Sequence, residues 1–299
     1  MLCTFKVLIM KKLVMKNKYG FYEVSSKPKQ SDLEEYYAEK YYQQPNGQYQ
    51  KVYSTDELKY FANKAAICQH TIKKYLPEVV SFFEVGCGEG FFANEFYKAG
   101  VQNIILNDFS EAGIESFNPH LKHFFKKIDI YEHIEEFANQ NVHFSLISMD
   151  NVLEHVIDPE GLLEKLKLIM RDNSVLRITV PNDFSAFQHM LINEGLTEET
   201  WVCPPDHLSY FNSENIVRFC EGSGFHVLSA QCDFPIELFL TNHHSHYYKD
   251  RNLGKEAHYS RVLCSNYLVN ENIDAYISMS EAAAKLQFGR DVTVYLTLQ

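Results

Sequence analysis

Four acids close apolar runs along the first half of the chain. Glu84 lies within Phe82-Phe83-Glu84-Val85, Asp108 follows Ile104-Ile105-Leu106-Asn107, and Asp129 and Asp150 end two further runs. An ionised carboxylate accepts two donors at once, so acids at successive strand ends suit a ligand rich in hydroxyl and amine groups. Glu84 leads directly into Gly86-Cys87-Gly88-Glu89-Gly90, with glycine at alternate positions. Glycine tolerates positive φ and lets a backbone approach a ligand closely. Phe91, Phe92, Ala93, Phe96 and Tyr97 then resume at helical spacing, so a helix N-terminus points its free N–H groups back at that ligand. Cys87 reads as a small space-filler, because no neighbouring base or cation would lower its pKa. Further on, His207 follows Pro204-Pro205-Asp206. An imidazole with the reference pKa of about 6.5 accepts a hydroxyl proton at neutral pH, which makes His207 the expected general base, oriented by Asp206 or Tyr210. No metal is expected. Glu154 and His155 are too few ligands by themselves, and in His243-His244-Ser245-His246 adjacent histidines on a helix point apart.

These groups need a scaffold that brings strand ends together. Residues 81–182 alternate strand, helix, strand as a parallel sheet requires, with strands expected at 81–86, 103–107, 124–129, 143–149 and 174–180. Helices are expected to begin near 90, 110, 131 and 159, and another over 184–194. Right-handed crossovers of this length place the strand C-termini along one edge. Ser213 is expected to cap a helix closed by Gly222-Ser223-Gly224, Phe225–Gln231 reads as a sixth strand, and Asp291–Leu298 alternates cleanly as a final strand. The span 233–290 exceeds a hairpin loop and carries two amphipathic patterns, one through Tyr259, Val262, Leu263 and Tyr267 and one through Ile273, Tyr276, Ile277 and Ala284. It reads as a helical insertion serving as a substrate wall or a homodimer surface.

Residues 1–80 read as an N-terminal tail and helical cap, and 81–299 as the core that holds the insertion. Ser31-Asp32-Leu33-Glu34 and Ser54-Thr55-Asp56-Glu57 both match the capping box that opens helices. The first helix carries Tyr36, Tyr37, Tyr41 and Tyr42. The second puts Leu58, Phe61, Ala62, Ala65, Ile72 and Tyr75 on one face, and Pro77 ends it. The stretch Met1–Met15 has its lysines after a short apolar run, the wrong order for a signal peptide, and is expected to be disordered, with Met10 or Met15 as alternative starts.

With 299 residues, 45% of them hydrophobic, the chain can bury a full core. A net charge of −11 argues against a nucleic-acid partner, whose phosphates would be met by Lys and Arg. Seven scattered cysteines without a C-x-x-C pair suit free thiols in a reducing cytoplasm. No apolar stretch is long enough to span a membrane.

The turn Glu84-Val85-Gly86-Cys87-Gly88-Glu89-Gly90, with Asp108 ending the next strand, resembles motif I of the class I S-adenosylmethionine (SAM) methyltransferases. The segment Leu153-Glu154-His155-Val156-Ile157-Asp158-Pro159 is similar to one in ubiquinone-type O-methyltransferases and their sugar-modifying relatives. In some of the former, a Glu-x-x-Glu-His set binds a divalent metal; here Asn151 stands at its first position. The resemblance implies a Rossmann-like α/β fold, with a seven-stranded, mostly parallel sheet, an antiparallel last strand and an N-terminal helical cap. It also implies SAM as cofactor. On it, Glu84, Gly86, Cys87 and Gly88 cradle the methionine part, Asp108 takes the ribose diol, Phe109 lies beside the adenine, and Asp129 and Ile130 meet the adenine amine. Asp150, Asn151 and His155 would wall the pocket, and Tyr49 and Tyr53 would reach the methionine end from the cap. The acceptor implied is a small molecule, with the hydroxyl of a metabolite, a sugar or a nucleotide-linked sugar favoured. Two rival readings are an NAD-linked oxidoreductase, which would want G-x-G-x-x-G, and a non-catalytic SAM-binding partner protein.

Overall fold

The computed structural model describes residues 13–29, 31–33, 36 and 52–299. In chain order, the first elements are β1 (Val14–Lys16), β2 (Tyr22–Val24) and helix α1 (Thr55–Ile72). Then come β3 (Ser81–Val85), α2 (Phe91–Lys98), β4 (Asn103–Asn107), α3 (Ala112–Phe117), β5 (Phe125–Lys126) and α4 (Ile130–Asn139). The middle holds β6 (Leu146–Asp150), α5 (Pro159–Lys167), β7 (Val175–Pro181), α6 (Ala186–Asn193) and β8 (Ser209–Tyr210). The chain closes with α7 (Ser213–Gly222), β9 (Phe225–Cys232), α8 (Gly254–Glu271), α9 (Ile273–Lys285) and β10 (Asp291–Leu298).

Seven strands form one sheet in the order β5-β4-β3-β6-β7-β10-β9. β3 to β7 pair in parallel, and β10 enters antiparallel between β7 and β9, as expected for the Rossmann-like class. Every residue of β3 and β7 is buried, because helices cover both faces of a parallel sheet. One face packs Phe83, Ile147 and Ile178 against α4, α5 and α7; the other packs Phe82, Leu106 and Tyr295 against α1 and α2. Changing the sheet's neighbour order at β3, with β4 on one side and β6 on the other, opens the crevice where ligands bind in such folds.

Four expectations need correction. The segment expected as a strand over 124–129 keeps only the two residues of β5, preceded by a 3-10 turn over Pro119–Phe124. Asp129 caps α4 instead, accepting the N–H groups of Tyr131 and Glu132, and a residue in that role leaves the ladder. The cap of α7 is Asn212, not Ser213: its side chain accepts from Glu214 and Asn215, and Asn215 reciprocates. Of the stretch expected to be disordered, residues 1–12 lie outside the described residues, but Val14 and Met15 are in β1, which pairs with β2, and β2 pairs with β8 in a small second sheet. On α1, whose Ser54–Glu57 capping box forms in full, Leu58 stays exposed while Ala65 and Ile72 are buried, and Tyr75, expected on the same face, is exposed in the turn after the helix has ended at Ile72. Most of the first predicted helix, with Tyr37, Tyr41, Tyr42 and Tyr49, lies outside the described residues.

Within 233–290 the two expected helices form as α8 and α9, after 3-10 turns at Ile236–Thr241 and Arg251–Leu253. α8 lies on α1 and α9 on β9. Val262 points inward, whereas Tyr259, Leu263 and Tyr267 face outward with about half their surface exposed.

Candidate functional site

The turn after β3 is bound to the end of β4. The N–H groups of Gly86 and Cys87 donate to the Asn107 carbonyl at 2.8 and 3.1 Å, and the Gly88 N–H donates to Asp108 Oδ2 at 2.9 Å. Gly90 begins α2 at φ +73°, where a Cβ would lie 2.4 Å from Ile114 Cδ1. Gly88, at φ +52°, has nothing within 4 Å of its Cβ position, so open space lies over the turn at its centre. A ligand carrying an adenosine and a cationic amino-acid end fits the surrounding groups. The Phe109 ring is 49% exposed at the rim, and Glu84, 3% exposed, keeps Oε2 without a hydrogen-bond partner among the described residues. Burial, followed by the charge of Asp150, pushes the Glu84 carboxyl up to about 8 despite Arg177.

Asp108 also accepts from the Ser110 N–H at 3.1 Å, and each of its oxygens retains a lone pair for a further donor. Burial raises its pKa, and the N–H bonds of Gly88, Ser110 and Phe109 work against that. Asp150 ends β6. Burial acts to raise it too, but Lys64 at 3.6 Å and Arg177 at 3.2 Å outweigh burial and hold it below the usual aspartate range. Asn151 adopts φ +54°, which an Asn tolerates, with its N–H on the Thr179 carbonyl at 2.9 Å. Tyr53 reaches the turn: its hydroxyl donates to Glu89 Oε1 at 2.6 Å, amid the rings of Phe61, Phe91 and Phe117. Ile130 is buried in the core, and Asp129 spends one oxygen on the start of α4.

The expected catalytic group lies beside the Glu154-His155 turn. His155 Nδ1 meets the Asp206 carbonyl at 2.6 Å, and the His155 and His207 rings stand edge to face at 4.9 Å. The Tyr210 hydroxyl donates to the His207 carbonyl at 2.8 Å and accepts from the Cys203 N–H at 3.3 Å, so it sets the loop backbone. Glu154 is 1% exposed and neither of its carboxylate oxygens has a hydrogen-bond partner among the described residues; burial holds its pKa well above the usual range. One ligand atom each from Glu154, His155 and His207 lies within 4.8 Å of the others, as do atoms of Cys203, Asp206 and His207. The structure thus gathers more donors here than the pair Glu154 and His155 that adjacency in sequence reveals.

Sequence reading missed the polar cavity wall under the insertion, formed in part by Lys64, Arg177, Asp233 and Ser265. Arg177 carried a signal, a charge in the middle of the buried run Val175-Leu176-Arg177-Ile178.

A family model described as a methyltransferase domain matches residues 58–230, more than half of the chain. No curated protein matches it. Among solved structures, a SAM-dependent methyltransferase from Archaeoglobus fulgidus is 18% identical, with 78% of this chain and 94% of that one covered and a TM-score of 0.44. The plantazolicin methyltransferase BpumL in complex with SAH is 16% identical, with 82% and 84% covered and a TM-score of 0.45. The [4+2]-cyclase SpnF is 13% identical, with 84% and 85% covered and a TM-score of 0.48.

Proposed function

The chain belongs to the class I SAM-dependent methyltransferase family, and from that premise we propose that it methylates a hydroxyl of a small metabolite or sugar. The observation that carries the cofactor side is the glycine turn tied to Asp108, with the unpartnered Glu84 oxygen behind it. When bound, SAM supplies a methyl group on a sulfonium, ready for in-line displacement. The chain's part is to hold and align. Glu84 offers a carboxylate to the ammonium, Gly86 and Gly88 keep the turn close to the ligand, and Asp108 takes the ribose hydroxyls. Phe109 covers the adenine face, and Tyr53 fixes the turn from the cap through Glu89. Alignment of this kind supplies much of the rate enhancement of a displacement.

The acceptor-side polar wall and the net charge of −11 favour a small polar acceptor over a nucleic acid. No helix among the described residues is long and apolar enough to cross a membrane. The free cysteines among the described residues suit the cytoplasm, which belongs to the same reading. His207, packed on His155, is one acceptor for the substrate proton in this scheme.

Calorimetric titration of SAM and of S-adenosylhomocysteine (SAH) into the wild type and Asp108→Ala tests the reading. Micromolar binding to the wild type that the substitution weakens is expected. Absence of binding to the wild type, with NAD binding instead, would return the oxidoreductase alternative.

A further inference from the structure

Under the insertion lies a cavity of about 60 Å³, bounded by α1, by the middle of β7, by the C-terminal end of β9, by the first half of β10 and by α8 and α9. That volume holds a few water-sized groups. Three polar atoms of its lining residues are buried without a hydrogen-bond partner among the described residues: Asp233 Oδ2, Arg177 Nε and Ser265 Oγ. Arg177 and Ser265 are each 3% exposed, so bulk water does not serve them. The second oxygen of Asp233 is already fixed, because Oδ1 accepts the backbone N–H groups of Arg290 and Asp291 at 2.9 and 2.8 Å. The carboxylate is therefore held from one side and presents its other oxygen to the cavity.

These three atoms define what can satisfy them. Asp233 Oδ2 only accepts, Arg177 Nε only donates, and Ser265 Oγ does either. A hydroxyl donates to the first and accepts from the second. An ammonium offers no lone pair, and an ether or carbonyl offers no proton. Buried polar atoms left unsatisfied are costly, so a group that completes all three is strongly selected. The cavity also adjoins the cofactor edge: Arg177 and Lys64, both in its wall, grip Asp150 at the end of β6.

We propose that this cavity receives the hydroxyl of the methyl acceptor and that Asp233 Oδ2, rather than His207, takes its proton. The proposal rests on the methyltransferase reading. The acceptor oxygen forms a bond to the methyl carbon as the sulfur–carbon bond of SAM breaks, the proton passes to Asp233 Oδ2, and a methyl ether and neutral SAH result. Asp233 later loses the proton to solvent. Groups from every packed element bear on Asp233: Asp291 of β10, Arg261 of α8, Lys64 and Tyr60 of α1, Tyr276 of α9 and Cys232 of β9. Burial, then Asp291, raises its pKa from the usual aspartate range, against Arg261 and Lys64. Turnover should accordingly rise with pH along a limb set by Asp233.

The test uses the full chain saturated with SAH and glycerol, glucose, galactose and phenol as probes, read by saturation-transfer NMR. At least one probe is expected to bind, and Ser265→Leu, which fills the cavity, should weaken it about tenfold while SAH affinity is kept. With that probe and SAM, Asp233→Asn should bind it comparably yet form methyl ether roughly 100-fold more slowly, without the rising pH limb. His207→Ala should keep that limb even where its rate falls. The proposal is overturned if no probe binds, if binding ignores Ser265→Leu, or if Asp233→Asn keeps the wild-type rate and pH profile. Failure of the wild type to bind SAH would instead overturn the methyltransferase reading.

Discussion

Asp108 and Gly88 meet through a hydrogen bond of 2.9 Å, from the glycine N–H to Oδ2, that closes the ends of β3 and β4 onto one another. The same carboxylate holds the Ser110 N–H through Oδ1. Its removal frees two backbone donors and, on the proposed reading, takes away the acceptor for the ribose diol. Hydrogen bonds to a charged group contribute about 1.5–3 kcal/mol, so Asp108→Ala should weaken SAM binding by roughly 10- to 150-fold in calorimetry. Asp108→Asn, which keeps an acceptor for Gly88, should lose less. Wild-type affinity in Asp108→Ala would remove the residue from the cofactor site.

Glu84 sets a pH dependence. Raised to about 8 by burial, it carries a proton at pH 7 in the ligand-free protein. An ammonium beside it favours the carboxylate, so SAM binding should expel that proton and tighten as pH rises towards about 8, and Glu84→Gln should flatten the curve. The sign for folding is opposite. The native state binds more protons than the unfolded chain above the ordinary glutamate pKa of about 4.3, so this group's contribution to stability is full below that pH and is lost as pH rises through its folded value. Chemical denaturation at several pH values, with and without Glu84→Gln, measures the difference.

Gly90 and Gly88 should fail differently when changed to alanine. At Gly90 the new methyl meets Ile114 Cδ1 at 2.4 Å in a left-handed backbone. Strain of about 1–2 kcal/mol plus about 1–3 kcal/mol of overpacking should lower the melting temperature by many degrees. At Gly88 only the backbone strain applies, because the space is open. Gly88→Ala should therefore fold with a smaller loss, while its methyl occupies ligand space and weakens SAM binding. Equal melting losses in the two variants would contradict the packing at Gly90.

His133 lies fully buried between Phe83 and Phe137, with neither ring nitrogen bonded to a partner among the described residues. Burial, and then Lys126, depress its pKa to about 4. The unfolded chain therefore takes up a proton below about 6.5 that the native state refuses, and stability falls as pH drops from there towards 4. His133→Phe should be more stable by about 1–2 kcal/mol at neutral pH and should lose part of the acid sensitivity. A lower melting temperature in this variant would mean that the imidazole has a partner.

The order of elements and the placement of the glycine turn beside Asp108 were legible in the sequence, because both rest on local rules. Glycines at alternate positions after an apolar run make a turn wherever they occur, and β10 begins and ends where its alternation does. The capping box at Ser54 is likewise a four-residue matter. The misreadings came where two local rules competed. Asp129 ends an apolar run and also satisfies the first turn of α4, and the orphan N–H groups won. β1 and β2 escaped notice because each is only three residues long, and the small sheet they begin is completed by β8, which pairs with β2 from some 190 residues on.

By itself the sequence determined the parallel sheet, the glycine turn at the end of β3 and the acids Glu84, Asp108 and Asp150 along its edge, since periodicity and turn chemistry act over a few residues. Tertiary structure alone decided which groups share a cavity. Arg177 comes from β7, Ser265 from α8 and Asp233 from the position just after β9, and Glu154 meets His207 across some fifty residues. Whether a polar atom is buried without a partner depends on everything packed around it, and no local pattern encodes that.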